Sequence, residues 1–149
     1  MPHEAFDPVS HAYGSANQNL LIPFLEQYLG EKIIETTYLY DLIDGKTATK
    51  DIEVKSRSLE YYYTDPFIER DGWLMPACKI EHAKKSGRPL LFFYNWKRDD
   101  SVWVFVYSER AMKGLKPFVP HWKKDGQLHY NIPQNRWTCI RPGQCFDFE

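Results

Sequence analysis

The chain is short of cysteine, of long apolar runs and of net charge. Three cysteines in 149 residues cannot close a paired disulfide framework, which points to a reducing compartment. The longest apolar run is Val102–Tyr107, far below the ~20 residues of a membrane helix, so no membrane partner is expected. The eight glycines stand singly, which excludes a glycine-rich phosphate-cradling loop. Nineteen Lys and Arg against 20 Asp and Glu leave neither a polybasic coat nor an acidic disordered tail. The opening MPHEAFDPVSH carries no basic flank and no apolar segment of the signal-peptide kind, so a cytoplasmic location is expected.

What is present suits a packed core. Hydrophobic residues make up 43% and aromatics 16% of the chain, enough for one domain that buries roughly two thirds of its surface. A single domain over residues 1–149 is therefore expected, with residues 1–14 as a loosely held arm and 108–149 as a C-terminal extension. The neutral total hides an asymmetry. Residues 1–44 hold seven acids and one base, whereas residues 45–149 hold 18 bases and 13 acids. An acidic cluster beside a basic face is what an anionic polymer and a divalent cation together require.

Ser15 is a suitable N-cap for a helix over Ala16–Leu29, with Leu20, Leu21, Phe24, Leu25, Tyr28 and Leu29 on one face and Gly30 ending it. Ile33–Ile43, rich in β-branched and aromatic residues, reads as a strand, and residues 44–50 (DGKTATK) as the turn after it. Asp51–Arg57 alternates cleanly and reads as a second strand. Residues 59–73 read as irregular. Pro76 at the first helical position precedes a helix over Ala77–Ser86, which Gly87 and Pro89 terminate. Leu90–Tyr94 and Val102–Tyr107 are unbroken apolar runs of strand length, as in strands covered on both faces. Short strands around Leu128–Ile132 and Trp137–Ile140 complete an α/β chain, a mixed β-sheet flanked by helices.

One stretch carries the chemistry: Asp41-Leu-Ile-Asp-Gly-Lys-Thr-Ala-Thr-Lys-Asp-Ile-Glu53-Val-Lys55-Ser56-Arg57. With residues 44–50 as the loop, Asp41 faces Glu53 across an antiparallel pair, and Lys55 shares that face by alternation. Two neighbouring carboxylates repel unless a positive charge lies between them. A hard divalent cation does this, and the Val54 carbonyl could supply a further oxygen ligand. The parts suit metal-assisted phosphodiester hydrolysis.

At these residues the sequence resembles the PD-(D/E)xK nuclease superfamily, which includes restriction enzymes, Holliday-junction resolvases and small phage nucleases. The match is Asp41, then Glu53-x-Lys55 within IEVKSR, with a helix before and the helix-to-strand segment KIEHAKKSGRPLLFFYNW after. The resemblance implies a restriction-endonuclease-like core and a metal-dependent endonuclease acting on DNA, including branched or phage-replication DNA. It implies Mg²⁺ or Mn²⁺ held by Asp41 and Glu53, with Lys55 assisting the attacking water. A homodimer and a host-cell cytoplasm are compatible with it. Tyr40 stands where the family's proline often stands, and no acid on the first helix is clearly placed to complete the site. Gln18 and Glu26 are the residues there that could serve. That gap motivates a second expectation, a nuclease-like fold without catalysis that binds nucleic acid or inhibits a partner.

Ser56, Arg57 and Lys79 are the residues expected to hold phosphate oxygens. Asp44, in an Asp-Gly pair, is assigned to the turn rather than the metal, and Asp51 to the site's outer rim or a solvated strand end. Tyr61–Tyr63 and the five tryptophans read as packing. Cys78 and His82, four apart on a helix, lack a second pair with which to hold zinc.

Overall fold

A computed structural model describes residues 21–35, 44–57, 72–96, 99–120 and 126–143. Residues 21–29 form a helix, α1, which Gly30 ends with φ +70° and its N–H on the Glu26 carbonyl. The strands are β1 (Ile34–Glu35), β2 (Gly45–Lys46), β3 (Asp51–Arg57), β4 (Gly72–Pro76), β5 (Leu90–Trp96), β6 (Ser101–Val106), β7 (His129–Pro133) and β8 (Thr138–Arg141). Helix α2 (Ala77–Ser86) follows β4 without a break. Six strands form one mixed sheet in the order β1-β2-β3-β5-β6-β8, and β4 pairs with β7 in a second, antiparallel sheet. The architecture is the expected α/β class, a mixed sheet with helices against it.

Alternation divides the core in two. Ile52 and Val54 of β3, Leu91 and Phe93 of β5, and Val102 and Val104 of β6 meet Leu21 and Leu25 of α1 on one face. Fully burying such a side chain stabilises by about 1.5–3 kcal/mol. On the other face Leu90, Phe92, Tyr94 and Trp96 meet Ile80 and Ala83 of α2, Trp73 and Met75 of β4, and Ile132 of β7. All seven residues of β5 are buried, as its unbroken apolar run predicts.

The strands β3 and β5 run parallel, with Glu53 beside Phe92. The chain between them contributes β4 and α2, so α2 lies on the face that carries Glu53. Pro76 sits at the N-cap, one place earlier than expected, and Gly87 closes α2 in the left-handed region at φ +68°.

Several boundaries differ from the sequence reading, each for a local reason. Of the strand expected over Ile33–Ile43, the structure has Ile34–Glu35; residues 36–43 lie outside the described residues, as do the arm over 1–14 and the tyrosines at 61–63. Residues 44–50 are not one turn. Gly45 and Lys46 are a strand, paired with β1 on one side and β3 on the other. The turn is confined to 47–50, where the Thr47 hydroxyl accepts the N–H groups of Thr49 and Lys50 and the Thr47 N–H reaches the Lys50 carbonyl. A threonine turn thus replaces the Asp-Gly turn that composition favours. Glycine at 45 suits the strand, because a Cβ there would come within 3.1 Å of Ile33 Cγ2.

Strand β4 falls partly in the stretch read as irregular, whereas the short strand expected around Leu128–Ile132 is present as β7 and pairs with β4. The residues read as a C-terminal extension supply β7 to one sheet and β8 to the edge of the other, and Met112, Ile132 and Trp137 to the core. The β4–β7 pairing is close at its start. A Cβ on Gly72 would fall 2.3 Å from the Ile132 carbonyl oxygen and 2.9 Å from Pro133 Cα. Backbone, not a movable side chain, would have to shift. Gly72→Ala is therefore expected to lower stability by about 1–3 kcal/mol, read as an earlier urea midpoint at unchanged slope.

Candidate functional site

Glu53 is the centre of the site. It occupies the middle of β3 on the α2 face, where alternation exposes it to the helix and not to α1. Its side chain is 3% exposed. Two donors meet one of its oxygens: the Lys79 ammonium and the Asp44 backbone N–H each lie 3.1 Å from Oε1. Among the described residues, nothing donates to Oε2. This nearly enclosed carboxylate therefore has one oxygen without a donor among the described residues.

Asp44 stands where the sequence reading set Asp41. The observed register pairs Gly45 with Ile52 and Lys46 with Asp51, and its continuation sets Asp44 opposite Glu53. The difference is the turn length: a four-residue turn moves the facing residue from 41 to 44. Assignment of Asp44 to the turn is corrected accordingly. Its carboxylate accepts the Val54 N–H at 2.8 Å, and its own N–H binds Glu53, so each acid is fixed by the other's strand. Asp41 and Gln18 lie outside the described residues.

The electrostatics follow from this enclosure. Burial, and next the Asp44 charge, push the Glu53 carboxyl up from 4.5 to about 8, against the opposing pull of Lys79 and Lys55. Burial acts to lower Lys79, but the Glu53 and Asp44 charges outweigh it and the ammonium is raised. Two carboxylates thus share one close ammonium, with a second cation, Lys55, nearby. With both acids ionised, the site has more negative charge than Lys79 alone offsets.

The other expected residues separate by face. Lys55 is exposed and shares the Glu53 face. Ser56 lies on the opposite, α1 face, in register with Asn95, and its hydroxyl is enclosed without a hydrogen bond among the described residues. It cannot hold a phosphate beside Lys55. Val54 presents its side chain to the α1 core, and its N–H serves Asp44. Arg57 ends β3. Glu26 is on α1, across the sheet from Glu53, and its carboxylate accepts the Ile33 N–H at 2.8 Å, closing the link into β1. Its expected place in the metal site is therefore not taken up.

Asp51 is neither solvated nor part of the carboxylate pair. It is 1% exposed and accepts Arg88 Nε at 2.9 Å, with His82 Nε2 at 3.8 Å. Arg88 also donates to the Thr47 and Lys50 carbonyls, joining the β2–β3 turn to the start of β5. This is a structural clamp that keeps the β3 register, and with it the Glu53 position.

The part that sequence reasoning undervalued is Lys79. Its position in the first turn of α2, following a strand that enters the helix directly, fixes it over Glu53. The available signal was Pro76, which marks where the helix starts and hence which residues face the sheet. Among the described residues, no three His, Cys, Asp or Glu side chains converge to form a complete protein ligand set. The carboxylate pair is a partial set, of the kind Mg²⁺ accepts when water and phosphate fill its remaining positions. Comparison with protein-family models, with curated proteins and with solved structures found no match to this chain.

Proposed function

We propose that the protein is a metal-dependent phosphodiesterase acting on nucleic acid, with DNA as its substrate, and that its centre is Asp44, Glu53 and Lys55. The observation that carries this reading is the juxtaposition of Asp44 with a buried Glu53 whose Oε2 has no donor among the described residues. An enclosed Glu53 carboxyl pushed toward neutrality is costly to maintain without a purpose, and perturbed acids of this kind gather at functional sites. The donor set fits Mg²⁺ or Mn²⁺: hard oxygens, two carboxylates, and space for non-protein ligands. Bound there, the cation would supply Lewis-acid charge to a scissile phosphate.

The chain's own residues account for the rest. Glu53, held at Oε1 by the Asp44 N–H and the Lys79 ammonium, would hold the cation together with Asp44. Lys55, two residues on along the same face and exposed, can meet the developing negative charge on phosphorus-bound oxygens. The order of helix, three antiparallel strands, helix and a parallel strand also agrees with the resemblance to the PD-(D/E)xK nucleases, with Asp44 in the place that the motif gives to Asp41.

A second reading rests on the Lys79–Glu53 ion pair, which supplies from the protein a charge that a cation would otherwise bring. On that reading the fold binds nucleic acid, or inhibits a partner, without catalysis. Incubation with linear and branched DNA separates the two. Cleavage is expected with Mg²⁺ or Mn²⁺, its loss with EDTA, and strong reduction in Asp44→Asn. Cleavage that survives EDTA would remove the metal-dependent reading, and unchanged cleavage in Asp44→Asn would return the role to Asp41.

A further inference from the structure

Among the described residues, the Lys79 ammonium is the cation in ion-pair contact with Glu53. It is 15% exposed and lies 3.1 Å from Glu53 Oε1. The β4–α2 junction leaves it little freedom, because β4 is buried along its whole length and Ala77 and Cys78 at the start of α2 are buried too. Lys79 is thus built into the position from which a cation would balance Asp44 and Glu53.

We infer that Lys79 and a divalent cation compete for this carboxylate pair, so that the lysine is the internal counter-ion of the metal-free protein and is released from Glu53 when metal binds. The inference rests on the metal-dependent reading above and adds a positioning residue to it. The physical basis is charge balance. Two neighbouring carboxylates stay ionised together in so enclosed a place only with positive charge beside them. When a divalent ion takes Glu53, an ammonium at hydrogen-bond distance from the same carboxylate becomes a like-charge neighbour in a low-dielectric setting. The charge-assisted hydrogen bond of the metal-free state is then no longer favourable. Lys79 is left as a protonated donor at the rim of the site, able to take an anionic oxygen of the substrate.

This predicts an ordering of affinities that a merely structural lysine would not produce. Titration calorimetry of Mn²⁺ into the full chain, without nucleic acid, is expected to give tighter binding in Lys79→Met than in the wild type. The expected gain is about tenfold or more, the magnitude of one charge-assisted hydrogen bond no longer surrendered. Lys79→Arg, which keeps the charge, is expected to stay near the wild-type affinity. Equal or weaker binding in Lys79→Met overturns the competition while leaving the metal site itself standing. Binding by Lys79→Met alone supports the competition and makes the wild type the blocked form. No binding in any of the three proteins overturns both the competition and the metal-dependent reading.

The wild type supplies a test that needs no variant to fold. Its Lys79 Nζ resonance, assigned by its absence from Lys79→Arg, is expected to move toward the exposed-lysine position and exchange faster with water as Mg²⁺ is added. A resonance that stays unmoved at saturating Mg²⁺ overturns the competition.

Discussion

If the proposed function holds, Glu53→Gln is expected to remove divalent-cation-dependent cleavage, lowering kcat/KM by about three orders of magnitude or more, because a bound metal contributes several kcal/mol of transition-state stabilisation. The amide keeps an oxygen to accept the Asp44 N–H and the Lys79 ammonium, so the geometry around β3 has no reason to change. What it loses is the anionic donor. Its thermal behaviour supplies an independent check. The wild-type carboxyl titrates near 8 when folded, for reasons of burial and the Asp44 charge, against an ordinary 4.5. Between those values the folded protein binds more protons than the unfolded chain, so wild-type stability falls as pH rises from about 4.5 to about 8 and is unaffected by this group beyond. Glutamine does not titrate. The Tm difference between Glu53→Gln and wild type should therefore shift in the variant's favour from pH 5 to pH 8 and level off above. A difference flat with pH would mean that Glu53 is not the enclosed acid described here. The same proton must leave when metal binds, so Mn²⁺ affinity should rise with pH up to about 8.

Much of this arrangement was legible in residue order. Strands β5 and β6 announce themselves as unbroken apolar runs, since both of their faces are covered. Helix α2 is bracketed by Pro76 and Gly87, whose backbone preferences do not depend on the rest of the fold. The strict alternation of Asp51–Arg57 correctly separates Glu53 and Lys55 from Ile52 and Val54. What alternation cannot supply is the partner strand's register, which depends on where the turn closes. Asp44-Gly45 is a strong turn pair by composition, yet the Thr47 hydroxyl closes a shorter turn and draws Gly45 and Lys46 into the sheet. Three residues of turn length decided between Asp41 and Asp44.

Strand β4 escaped notice for a different reason. GWLMP shows no polar–apolar alternation because all five residues are buried, and its partner β7 is polar in composition. The strand at β7 was legible around Leu128–Ile132, but nothing local marks β4 as a strand or as its partner. Lys79 was expected at the site as a phosphate holder, but its ion pair with Glu53 was not legible through the same gap. Its place over Glu53 depends on β4 leading straight into α2, a tertiary fact and not a helical one.

The stability of that junction rests on Trp73, and Trp73→Ala is expected to cost about 3–5 kcal/mol and lower Tm by roughly 10–15 °C. The indole is fully buried and stacks on Tyr94 with ring centroids 4.2 Å apart and planes within 9°. Trp137 meets it edge-on at 5.2 Å, and Trp103 at 6.4 Å. These contacts join the two sheets, since Tyr94 belongs to β5, Trp73 to β4, and the Tyr94 hydroxyl donates to the Leu74 carbonyl at 2.8 Å. Removal of the indole leaves an aromatic-lined cavity that rigid β-strands on both sides cannot close, which sets the cost at the upper part of the large-to-small range. Trp73→Phe, which keeps a ring against Tyr94, should recover more than half of the loss. Urea denaturation at fixed pH reads both. The effect should also reach the carboxylate pair, because β4 positions the first turn of α2: under conditions where Trp73→Phe remains folded, its Mn²⁺ affinity should differ from that of the wild type. Unchanged affinity in a variant of clearly lowered stability would mean that Lys79 is held over Glu53 by the helix alone.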